Sequence, residues 1–99
     1  MLEVVISKST KPYKKYDAVF NGTKTVSFGA KGYQDYTIHK DPERKERYIN
    51  RHKKNEDWTR SGIDTPGFLS RFILWNQPTL QESIKDLNTR YKDVHFKLI

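Results

Sequence analysis

The sequence predicts a single α+β domain over residues 1–99, with a small antiparallel sheet (N-terminal strand, β-hairpin, C-terminal strand) packed against two or three helices. Three observations carry this. Apolar residues alternate with period two near both ends of the chain, an Asn-Gly dipeptide separates two further alternating runs, and Asp-Pro and Thr-Pro pairs each open a stretch of helical character. Ninety-nine residues allow one modest core, since a chain of this size buries roughly two-thirds of the surface its unfolded form exposes. Only 34% of residues are hydrophobic but 13% are aromatic, so Tyr, Phe and Trp must supply much of the buried area.

Leu2, Val4 and Ile6 alternate with Glu3, Val5 and Ser7 as a first strand, which Ser9 to Pro12 breaks. Tyr16, Ala18 and Phe20 then form one arm of a hairpin and Val26 and Phe28 the other. A two-residue turn at Asn21-Gly22 would pair odd positions with even ones and send the two apolar sets to opposite faces. An odd-length loop or bulge follows, pairing Ala18 near Val26 and Tyr16 near Phe28. Gly29 and Gly32 bracket a loop, and Tyr36 with Ile38 suggests a short strand. Asp41 caps a helix that Pro42 begins, running to about Lys54, with Tyr48 and Ile49 as its only apolar stripe and Lys45 and His52 on the neighbouring turns. Trp58 is expected to anchor its exit. After a polar loop at Arg60 to Asp64, Thr65-Pro66 opens the most buried helix, through Phe68, Leu69, Phe72, Ile73 and Trp75. Thr79 to Glu82 fits a capping box for a third helix with Leu80, Ile84, Leu87 and Tyr91 on one face. Val94, Phe96 and Leu98 complete a last strand that returns to the first. The expected core is Val4, Ile6, Ala18, Phe20, Val26, Phe28, Phe68, Leu69, Phe72, Ile73, Trp75, Ile84 and Leu87.

Charge divides the chain. Lys40 to Lys54 holds seven basic residues against three acidic ones, residues 1–39 hold six against three, and residues 55–99 hold six against six. The formal charge of +7 thus belongs to the first 54 residues. A one-sided positive field draws in phosphates, carboxylates or an acidic protein surface. The candidate nucleic-acid or anion-binding residues are Lys40, Arg44, Lys45, Arg47, Arg51 and Lys54, with Lys11, Lys14, Lys15 and Lys31 as the alternative location. The competing reading of the same helix is a solvated surface, in which Glu43 and Arg47 form an i,i+4 pair of a few tenths of a kcal/mol. No helix-turn-helix, zinc-finger or RNA-recognition signature accompanies the charge, so base-specific readout is not expected. The charge-balanced second part is read as an aromatic half left available for protein contacts.

Other constellations are weaker. Asp35, His39, Asp41, His52 and Glu56 have the chemistry of a metal-dependent nuclease, but His39 and His52 lie thirteen apart and match no ligand spacing. No metal ligand, catalytic residue or cofactor is therefore assigned. Gly29-Ala30-Lys31-Gly32 lacks the full phosphate-loop pattern and reads as a tight connection. Tyr13, Tyr33, Tyr36 and Trp58 interleave with lysines as single-strand binders require for base stacking, yet a small aromatic core would contain the same residues, and core is the favoured reading. His95 alternates with Val94 and Phe96 and takes a surface role. Without cysteine the chain forms no disulfide or thiolate site, which suits a reducing compartment. No apolar run approaches the ~20 residues of a membrane span, and Met1 to Ile6 lacks the features of a signal peptide. A soluble intracellular protein is expected.

Over FGAKGYQDYTIHKDPERKERYINRHKKNEDW (residues 28–58) and TPGFLSRFILWNQPTLQESI (residues 65–84), the chain resembles a family of small, basic, uncharacterised proteins of large double-stranded DNA viruses that infect eukaryotes. The resemblance covers roughly Tyr16 to Tyr91 and rests on DYTIHKD, the RKERY-to-RH spacing and GFLSRFILWN. It implies a viral context, located in the virion and in the host cell interior during assembly. Short basic proteins there are commonly capsid cement, minor capsid or core-packaging components. The expected function is a non-enzymatic virion structural protein whose partners are other virion proteins or nucleic acid. The alternative is a sequence-nonspecific nucleic-acid-binding protein.

Overall fold

A computed structural model describes residues 1–99. Four strands, β1 (Leu2–Lys8), β2 (Lys14–Phe20), β3 (Lys24–Ala30) and β4 (Val94–Leu98), form one sheet in the order β3-β2-β1-β4. The chain is an α+β domain with the expected strands. The sheet is mixed: β1, β2 and β3 run antiparallel, while β4 joins β1 in parallel, with Val4 opposite Phe96. Parallel pairing demands a crossover, and residues 31–93 supply it by laying the helices on one face. The hairpin pairs Ala18 with Val26 and Tyr16 with Phe28 across a three-residue loop, as parity requires. Asn21 and Gly22 take left-handed conformations there (φ 50° and 72°). The Asn21 side-chain oxygen accepts from the Glu3 amide at 2.8 Å, tying the loop to β1.

The helical layer departs from local expectation in two places. Tyr36–His39 is a helix, α1, not a strand. The Asp35 carboxylate accepts from the Thr37 amide and hydroxyl, capping the turn, and this local bonding overrides a two-residue alternation. Ile38, which the strand would have buried, is 54% exposed. Helix α2 (Pro42–His52) starts on the predicted Asp41 cap and stops before Lys53 and Lys54, which lie in the following turn. The second departure follows Thr65: α3 (Pro66–Leu69) widens into a π turn at Ser70–Leu74, marked by the Trp75 amide donating to the Ser70 carbonyl at 3.0 Å. The extra residue lets Phe72, Ile73 and Leu74 all face inward and leaves Trp75 half-buried at the edge.

Helix α4 (Leu80–Arg90) begins on Thr79, whose hydroxyl oxygen accepts from the Glu82 amide and whose hydroxyl bonds the Glu82 carboxylate. Asn88 bonds both the amide and the carbonyl of Phe96, at 2.7 and 3.0 Å, and so covers the open edge of β4. Every expected core residue except Trp75 is buried, joined by Ile63, Leu74, Val94 and Phe96. The later half keeps most of its large apolar side chains inside: of residues 55–99 only Ile99 is a strongly exposed large hydrophobic, while Trp58, Trp75 and Tyr91 are partly buried against the core.

Gly29 (φ +77°) lies where β3 passes closest to the π turn, and a Cβ there would stand 2.8 Å from Leu74 Cδ1 and 3.2 Å from Lys15 Cβ. Gly29→Ala combines a left-handed backbone with overpacking. Urea unfolding should show a loss of about 1–3 kcal/mol with an unchanged slope.

Candidate anion-binding site

The site is built around Asp35, which is 2% exposed. A buried carboxylate is tolerated only when paired and hydrogen-bonded. Lys15 from β2 supplies the charge at 2.5 Å and Thr37 the hydrogen bonds. This clamps α1 against the end of the hairpin. Lys40 then turns the chain through a left-handed conformation (φ 54°) into α2, with the His39 Nδ1 accepting from the Asp41 amide at 2.9 Å.

Helix α2 meets the domain through the stripe expected of it. Tyr48 stacks on Trp75 with ring centroids 4.3 Å apart and planes 3° from parallel, and His52 lies on the other side of Tyr48 at 4.4 Å. One turn earlier, Lys45 donates to the Asn76 carbonyl at 2.6 Å and sits over the Tyr36 ring. Burial and then the Arg71 guanidinium hold its pKa below the usual lysine value. Burial and then Glu56 raise the Tyr48 phenol to about 12.

Between α2, the loop after β3 and the π turn lies a cleft of about 460 Å³, lined among others by Lys15, Tyr33, Arg44, Tyr48, Arg51 and Trp75. Arg44 and Arg51 are seven residues apart, hence on one side of the helix and roughly 10 Å apart along it. Neither forms an ion pair. Arg44 donates to the Gln34 side-chain oxygen at 3.1 Å. Asp35 is the one acidic side chain on the lining, and Lys15 neutralises it. A second hollow of about 300 Å³, lined by Lys8, Ser9, Lys15, Tyr16 and Lys31, shares Lys15 with the first.

The six residues grouped by the sequence therefore separate. Arg44 and Arg51 meet in the cleft. Lys45 lies outside the cleft lining, with its ammonium bonded to the Asn76 carbonyl. Arg47 stands 3.9 Å from Glu43, as the i,i+4 reading expects. Lys40 bonds the Thr37 carbonyl at 2.9 Å, and Lys54 is exposed in the turn beyond the helix. Tyr13 and Tyr33, expected in the core, are 81% and 74% exposed, because both lie in loops at the open end of the hairpin. Trp58 packs against the core, beneath Arg71. Trp75 and Gln34 were not legible as site residues. The only local hint was Trp75 at the end of an otherwise apolar helix.

The metal constellation does not assemble. Asp35 and Asp41 cap helices, His39 and His52 pack on aromatic rings, and no three His, Asp or Glu side chains converge as a metal site would require. The Gly29 to Gly32 segment ends β3 and turns towards α1, as a tight connection does.

Burial, then the charge of Arg44, lowers the pKa of His39 below that of a free imidazole. The folded state thus resists a proton that the unfolded chain accepts near pH 6.5. Stability should be full above about pH 6.5 and decline as the pH falls towards the lowered folded pKa. Thermal unfolding of the parent against His39→Gln between pH 7.5 and 5 should show the variant losing less stability.

Residues 4–52 match a family of unknown function (DUF5754), a span that ends with α2 and takes in Lys15, Tyr33, Arg44 and Arg51. No curated protein and no solved structure matches the chain.

Proposed function

We propose that the chain is a non-enzymatic structural protein that grips a polyanion in its basic cleft, acting as a core-packaging, cement or minor capsid component of a virus particle. The observation that carries the polyanion contact is the placement of Arg44 and Arg51 on one wall, both without a carboxylate partner. Arginine donates through a planar fork that suits phosphate. Two such groups beside neutralised Lys15, with Lys31 and Lys8 beyond, make a basic track with no free acid on its lining. The viral setting is supported by the resemblance of residues 16–91 to small basic proteins of large DNA viruses. No helix is long and apolar enough to cross a membrane.

Association with nucleic acid should weaken steeply between about 50 and 200 mM salt with little preference for sequence. Replacing Arg44 and Arg51 together by glutamine should reduce the slope of log affinity against log salt by about 2. Arg47→Gln with Lys54→Gln, one on α2 and one in the turn after it, both off the cleft lining, should leave it near the parent value. Equal effects of the two double variants would remove the cleft from the account. Quantitative mass spectrometry of purified particles should find the protein at a fixed ratio to capsid subunits. Its absence from particles would overturn the virion role and leave the polyanion contact standing.

A further inference from the structure

Resting on that reading of the cleft, we infer that its preferred polyanion is single-stranded nucleic acid, with unpaired bases stacked on Tyr33 and Tyr13 and the backbone held by Arg44, Arg51 and the neighbouring lysines. Tyr33 belongs to the cleft lining and is 74% exposed, so its ring stands in water at the mouth of a basic recess. Tyr13, 81% exposed, is on the adjoining loop, which the Lys31 amide fastens by donating to the Tyr13 carbonyl at 3.0 Å. Neither tyrosine has an aromatic neighbour in the protein. Exposed rings interleaved with cations are what sequence-tolerant stacking requires, because every base has a π-face.

The shape of the charge argues against a duplex. Double-stranded DNA is met by a convex element, a helix or a ribbon, that enters a groove. The convex side of α2 carries Glu43 and Glu46 beside Arg47, all exposed, and presents carboxylates to any approaching phosphate rail. The concave side has no free acid. A recess of about 460 Å³ accepts flat bases in the way ligand clefts accept ring systems, while the paired bases of a duplex keep their faces inside the stack. Stacking and phosphate contact thus fall on one concave track only when the strand is single.

The test measures fluorescence anisotropy of the full chain at 50 mM salt with three probes: a twelve-residue oligothymidylate, a blunt duplex of the same length, and inorganic polyphosphate as a base-free polyanion. The oligothymidylate should bind at least tenfold tighter than either of the others. Tyr33→Ala should weaken it roughly tenfold without changing the salt slope. Arg44→Gln with Arg51→Gln should lower the slope for every probe. Tyr33 is exposed in a loop, so its variant should keep the parent circular dichroism spectrum. Equal binding of all three probes with Tyr33→Ala silent, or tighter binding of the duplex, would overturn the single-strand inference and leave the polyanion reading intact. Binding of none of the three would overturn both.

Discussion

A carboxylate cannot be left alone in a protein interior, and the arrangement of this molecule's basic side follows from how Asp35 meets that constraint. Its charge is matched by Lys15 on β2 and its remaining lone pairs are taken up by Thr37. One residue thereby ends the loop after the hairpin, starts α1 and fixes that helix to the sheet. Pairs of this kind add little net stability, because desolvation offsets the attraction, but removing one partner strands a buried charge and costs about 3–5 kcal/mol. The same pair silences the acid on the cleft lining, leaving Arg44 and Arg51 uncompensated.

The second dependence is aromatic. Helix α2 buries one residue, Tyr48, and its attachment rests on the stack with Trp75, flanked by His52 and Lys45. Stacked pairs contribute about 0.5–1.5 kcal/mol beyond the area they bury. Trp75 is available for this because the π turn displaces it from the core, where a regular helix would align it with Phe68 and Phe72. A local widening of the backbone thus becomes the docking surface of a helix nearly thirty residues earlier. The rotation it imposes on α2 sorts the cations: those on the inner stripe become packing groups, those seven apart beside Tyr48 line the cleft, and those opposite mix with glutamates on the open surface.

This sorting distributes the charge in a way that a count of lysines and arginines does not show. Many of the basic residues of the first 54 are diffuse surface charge, and a few are brought onto one concave track beside exposed tyrosines. The second half is charge-balanced and supplies packing: Phe68, Phe72 and Phe96 lie in the core. Its other large aromatics, Trp58, Trp75 and Tyr91, are partly buried against that core.

The class of fold, the strands and their faces, the odd-length hairpin loop, the caps at Asp41, Thr65 and Thr79, and nearly all of the core were legible in the sequence. Each depends on parity, spacing or bonding within a few residues, which the order of residues states directly. Tertiary structure alone decided that β4 runs parallel to β1, that the buried helix widens at Ser70, and which cations share a wall with which tyrosines. Those outcomes rest on partners twenty to ninety residues apart, Lys15 with Asp35, Tyr48 with Trp75 and Val4 with Phe96. Burial, charge pairing and ring stacking there depend on positions in space that no local pattern encodes.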